Sequence, residues 1–221
     1  MICGVDEAGR GPVIGPLIVA GITLKDDTEL VKLKVRDSKQ VSPRKRTIFS
    51  KKILEISLNY EIIVIPAKDI DDMRNVMTLN EIEVNAFSKI IKKLNPETCY
   101  VDSADVNANR FATNILSQLT SKPLIISKHK ADEIYPIVSA ASIIAKTRRD
   151  EEVRKISEKL EKKLNLPLGS GYPADPITQK FLINWINKYD ELPPYTRRSW
   201  KTVKNIFNEK KNKKLDDFNI L

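Results

Sequence analysis

The chain has 221 residues, 41% of them hydrophobic and 30% charged, and a formal net charge of +9. That balance suits a soluble globular protein, most simply one domain with a substantial core. No apolar run approaches the ~20 residues of a membrane span, so we expect no membrane helix. We expect no secretory leader, because Asp6 and Glu7 interrupt the first apolar run. We therefore expect a cytoplasmic location. The two cysteines, Cys3 and Cys99, lie in apolar runs and read as small buried hydrophobes in a reducing compartment.

Five apolar runs read as strands: 2–5, 17–24, 60–66, 98–101 and 123–127. A polar insertion at about 37–55 becomes helix-like after Ser42-Pro43. Residues 79–94 carry Phe87, Ile90, Ile91 and Leu94 at helical spacing. A second helix, 107–119, lies between the fourth and fifth strands, and that order implies that the two strands pair in parallel. The remainder reads as helices at about 131–163, 176–188 and 198–211, with Asp175-Pro176 as a helix start. The expected fold is α/β, a mixed five-stranded sheet flanked by helices with a helical C-terminal extension. We expect residues 1–195 to form the main domain, with a basic helix and tail over 196–221.

Five of the seven glycines fall in the first 21 residues, and the other two are Gly169 and Gly171. Glycine used this sparingly suggests unusual dihedrals or close approach to a ligand. The chain has one histidine, His129, so carboxylates must do most of any catalytic work. Asp6-Glu7 ends the first strand, Asp102 the fourth, and Asp132 follows the fifth. With the first and fourth strands adjacent and parallel, Asp6 and Asp102 share one sheet edge, where ligands bind in such sheets. Clustered acids there suit Mg²⁺ or Mn²⁺, and a two-ion site suits phosphodiester cleavage. Ser139, Ser142 and Lys146 fall in one sector of an otherwise apolar helix, and Asp132 joins them if the helix continues back through Pro136. From Arg197 to Lys214 there are eight basic residues and one acid, a local excess that suits a polyanionic partner.

Seven motifs then stand in order along nearly the whole chain. They are Asp6-Glu7-Ala8-Gly9-Arg10-Gly11-Pro12, Asp37-Ser38-Lys39, Asp102, His129-Lys130-Ala131-Asp132, the stretch 138–146, Gly169-Ser170-Gly171-Tyr172-Pro173 and Arg197-Arg198-Ser199-Trp200. Together they resemble ribonuclease HII, the type 2 ribonuclease H, in its archaeal-like single-chain form. The resemblance implies a ribonuclease H-like fold and hydrolysis of RNA in RNA–DNA hybrids. It further implies incision 5′ of single ribonucleotides embedded in duplex DNA, leaving 3′-hydroxyl and 5′-phosphate, as in ribonucleotide removal during replication and repair. Asp6, Glu7, Asp102 and Asp132 would hold two divalent ions, Mn²⁺ or Mg²⁺. Gly9, Arg10 and Gly11 would contact the 2′-hydroxyl side of the ribonucleotide, and Tyr172 would stack on the sugar at the junction. Both glycine clusters would thus face one nucleotide. Lys39 would contact backbone phosphate, and Ser139, Ser142 and Lys146 would add substrate contacts.

The sister family ribonuclease HIII carries an additional N-terminal domain, for which a first acid at residue 6 leaves no room. Residues 212–219 loosely resemble the box that binds the sliding clamp PCNA, with Leu215 and Phe218 at the right spacing and Asn212 and Asn219 departing from it. The expected state is a monomer. Two rivals stand beside this reading. A non-catalytic nucleic-acid-binding protein is opposed by the intact acids, and another two-metal nuclease or phosphotransferase is opposed by the Gly-Arg-Gly and Tyr172 elements.

Overall fold

The computed structural model describes residues 1–35 and 42–218, with side chains through residue 209. In chain order the elements are β1 (Ile2–Ala8), β2 (Leu17–Leu24), α1 (Thr28–Lys32), α2 (Pro43–Ile56), β3 (Asn59–Ile65), α3 (Ala67–Met73), α4 (Leu79–Leu94), β4 (Thr98–Asp102), α5 (Ala108–Ser117), β5 (Leu124–Lys128), α6 (Ala131–Ile134), α7 (Pro136–Leu164), α8 (Pro176–Tyr189) and α9 (Lys201–Phe218). The strands form one sheet in the order β3-β2-β1-β4-β5. β1 runs antiparallel to β2 and parallel to β4, and β4 runs parallel to β5. The mixed five-stranded sheet expected from the sequence is therefore present, with β1 at its centre.

Three local differences have physical reasons. Helices α1 and α3 are absent from the sequence reading because five and seven residues are too few to show a helical period. The expected strand 60–66 ends at Ile65, because Pro66 is the N-cap of α3. The expected helix 131–163 is two helices. Tyr135 is extended, with φ −111° and ψ 119°, as the residue before a proline prefers.

The chain divides into two compact units. One comprises Met1–Ala8, Leu17–Val64 and Met77–Arg149, and the other Gly9–Pro16, Ile65–Val76 and Asp150–Leu221. In the first, Ile18, Ala20, Ile22 and Leu24 of β2 pack with Ile53 and with Ile137, Val138, Ile143 and Ile144 of α7. Helices cover both faces of the sheet. A Cβ on Gly4 would lie 2.3 Å from the Ile137 carbonyl oxygen, and one on Gly21 would lie 2.4 Å from Ile90 Cγ2. Gly4 pairs with Ile22 and Gly21 with Val5, so the two glycines look to opposite faces. Here glycine serves helix packing, not ligand approach. Cys3 and Cys99 are buried, free and opposite each other in the β1–β4 register.

In the second unit, Val13 and Ile14 pack with Ile156, Leu160, Phe181, Leu182, Trp185 and Val203. α8 starts as expected: the Asp175 side chain accepts the Ile177 N–H, and Pro176 takes the first helical position. α9 begins later than the sequence suggests, because Asp71 accepts the N–H groups of Arg198 and Ser199 at 2.7 and 2.9 Å. Among the described residues, no helix is long and apolar enough to cross a membrane.

Candidate active site

The parallel pairing of β1 with β4 decides where the acids go. Val5 lies beside Val101, the last pair of the β1–β4 register, so the next residues, Asp6 and Asp102, stand at the same end of that parallel pair, while β1 continues along β2 through Ala8. β5 ends beside them, with Lys128 in register with Asp102. The chain then turns through Lys130, whose φ is 55°, into α6. The Ala131 N–H at the start of α6 donates to Asp102 Oδ1 at 2.9 Å. That bond ties the α6 turn, and Asp132 with it, to the end of β4. Among the described residues, Asp6, Asp102 and Asp132 each offer a carboxylate oxygen within 4.8 Å of the others.

Asp6 and Asp132 are buried and Asp102 is half-buried. Burial pushes the Asp6 carboxyl well above the usual carboxylate range, and the charges of Glu7 and Asp102 push it the same way. The Ser142 hydroxyl and the Lys146 ammonium pull it back. Lys146 Nζ also lies 3.8 Å from Asp132 Oδ2. This is a cluster of hard oxygen donors, the donor chemistry that suits Mg²⁺ or Mn²⁺.

The remaining sequence candidates fall out differently. Glu7 is outside the trio of acids, since adjacent side chains on a strand point to opposite faces, yet its charge acts on Asp6. Ser142 and Lys146 of α7 stand with the acids. Asp132 joins them from α6 and not by helical continuation, because the helix breaks at Tyr135. Ser139 is buried and its hydroxyl donates to the Val35 carbonyl at 3.0 Å, which is a structural use. Asp37, Ser38 and Lys39 lie outside the described residues. His129 is exposed, with Nε2 at 3.2 Å from the Val106 carbonyl oxygen.

The two glycine segments meet within the second unit. A Cβ on Gly11 would lie 3.4 Å from the Tyr172 ring, and the Val13 N–H donates to the Gly171 carbonyl at 2.8 Å. Tyr172 is 41% exposed, so its ring is accessible for stacking. Asp175 braces the turn by accepting the Ser170 N–H and hydroxyl, each at 2.7 Å, and these bonds hold its carboxyl down at about 2. Arg197, which the sequence reading counts with the basic tail, is fully buried and takes no part in that surface. Its only signal was its place in the Arg197-Arg198-Ser199-Trp200 motif.

The model of the Ribonuclease HII family matches residues 3–203. The chain belongs to the ribonuclease HII family. It is 46% identical to the Ribonuclease HII of Methanosarcina barkeri, over 96% of this chain and 97% of that one. The crystal structure of the ribonuclease H2 from Pyrococcus horikoshii is similar, with a TM-score of 0.86 and 40% identity, over 94% of this chain and 97% of that one. So is the ribonuclease HII in a PCNA complex from Archaeoglobus fulgidus, with a TM-score of 0.85 and 39% identity, over 93% and 96%. The sheet is accordingly that of the ribonuclease H-like fold. Ribonucleases HII cleave RNA in RNA–DNA hybrids, and this chain is a ribonuclease H enzyme.

Proposed function

We propose that this ribonuclease HII incises duplex DNA on the 5′ side of a single embedded ribonucleotide, and cuts RNA in hybrids, by two-metal catalysis that leaves 3′-hydroxyl and 5′-phosphate. The observation that carries the reading is the convergence of Asp6, Asp102 and Asp132 at one end of the parallel strands. These acids, with Glu7, would hold Mn²⁺ or Mg²⁺. Bound there, such ions would supply the charge that favours hydroxide formation from water and departure of the leaving oxygen. The protein's own groups bind and orient. Gly9, Arg10 and Gly11 present backbone to the ribose, whose 2′-hydroxyl separates RNA from DNA. Tyr172 stacks on the neighbouring sugar. Lys146 and Ser142 stand where they can steady charge beside Asp6 and Asp132, and Lys39 contacts backbone phosphate.

The basic residues of α9, among them the exposed Lys201 and Lys204, would steer the duplex through phosphates without reading sequence. Residues 212–219 would bind the sliding clamp, a reading favoured by the PCNA complex of the Archaeoglobus relative. The enzyme would act as a cytoplasmic monomer in ribonucleotide removal during replication and repair.

The test is a DNA duplex with one ribonucleotide, and its all-DNA counterpart, offered with Mn²⁺ or Mg²⁺. We expect cutting of the first alone. Asp102→Asn should slow it about a thousandfold, the several kcal/mol that such ions contribute. Binding without cutting, cutting of plain DNA, or full activity of the variant would each contradict the reading.

A further inference from the structure

Arg197 is the most unusual side chain outside the acid cluster. It is fully buried, although arginine seldom is unless its charge is met by partners. Its guanidinium donates to three backbone carbonyls of one loop: from Nε to Gly15 at 2.9 Å, from Nη1 to Arg10 at 2.9 Å and from Nη2 to Gly9 at 2.5 Å. Its own N–H donates to the Val13 carbonyl at 2.8 Å. A β-bridge between Ile14 and Thr196 adjoins these bonds. On its other side the guanidinium lies 4.8 Å over the Trp200 ring, a face that attracts cations. A single side chain thus fastens a loop that lies 182 to 188 positions away.

The orientation of these bonds has a direct effect on the loop. In a trans peptide the C=O and the following N–H point in opposite directions. Holding the Gly9 carbonyl inward turns the Arg10 N–H away from Arg197, and holding the Arg10 carbonyl inward does the same to the Gly11 N–H. Gly9 makes this possible with a φ of 87°, which side-chain-bearing residues rarely adopt. Gly11, the far end of that pair, is exposed beside Tyr172.

We propose that Arg197 is a positioning residue for ribonucleotide recognition, because it aims the Arg10 and Gly11 N–H donors at the substrate. This rests on the reading of Gly9-Arg10-Gly11 as the ribose-contacting segment. Arginine is required because a planar fork can reach three carbonyls at once. Lysine, a compact point charge, cannot.

The test compares wild type with Arg197→Lys and Arg197→Gln. We expect kcat/KM on a single-ribonucleotide duplex to fall about 10- to 100-fold, the scale of a small misplacement remote from the chemistry. The loss should lie mainly in KM and be larger for the glutamine variant. Amide hydrogen exchange should quicken about tenfold or more over residues 9–15 and stay unchanged over 1–8 and 98–102. Mn²⁺ affinity, read by calorimetry, should be preserved. Unchanged exchange in the loop together with wild-type kcat/KM would overturn the assignment. So would loss of a cooperative melt in both variants, which would make Arg197 a general folding residue. If wild type itself left the ribonucleotide duplex uncut, the activity reading would fall, and the exchange data would still decide whether Arg197 holds the loop.

Discussion

At the scale of single residues, carboxylates do opposite things in this protein according to what surrounds them. Asp6 is buried beside Glu7 and Asp102, so burial first and like charge second raise its carboxyl. Asp105, only three positions beyond Asp102, is held down at about 2 by the Arg110 side chain and then by the Asn107 N–H. It braces the start of α5, with Arg110 Nε donating at 2.8 Å, and is a structural acid, whereas for Asp102 we propose a metal-holding role. The sign of its pH effect follows from that depression. The ionised Asp105 stabilises the fold in full above its ordinary value of 3.8, and the contribution is lost as pH falls towards about 2. Asp105→Asn should therefore flatten the fall in melting temperature across that window. Superimposable acid limbs for variant and wild type would refute this.

At the scale of elements, glycine decides how closely helices approach the sheet. Gly4 sits under the first turn of α7 and Gly21 under α4. Gly4→Ala would press a methyl against the Ile137 carbonyl, a backbone atom that cannot rotate away. We expect a loss of about 1–3 kcal/mol, or about 3–10 °C in melting temperature, measured by calorimetry. A wild-type melt would show that α7 shifts freely on β1. These packing contacts were not visible in the sequence, because a glycine reads alike whether it meets a helix or a ligand. The strands were legible, since each is a short apolar run bounded by polar residues. The acids were legible for the same reason: each stands where such a run stops. Short helices α1 and α3 were not, and the break before α7 was foreshadowed only by Pro136. Arg197 was misread as surface charge, because composition cannot show that a guanidinium points inward.

At the scale of the whole molecule, the chain of +9 gathers three acids at one end of its central parallel strands. An otherwise basic protein has little reason to concentrate like charges there unless a cation joins them. β1 supplies Asp6, β4 supplies Asp102, and the α6 turn after β5 supplies Asp132. Three segments distant in sequence therefore converge, two through strand order and the third through the α6 turn bonded to Asp102. The most direct measurement is the anomalous scattering of a crystal soaked in Mn²⁺. We predict manganese density at Asp6, Asp102 and Asp132, the three carboxylates that would hold it. Density elsewhere, or none at these three carboxylates under conditions where the enzyme cuts its substrate, would contradict the account.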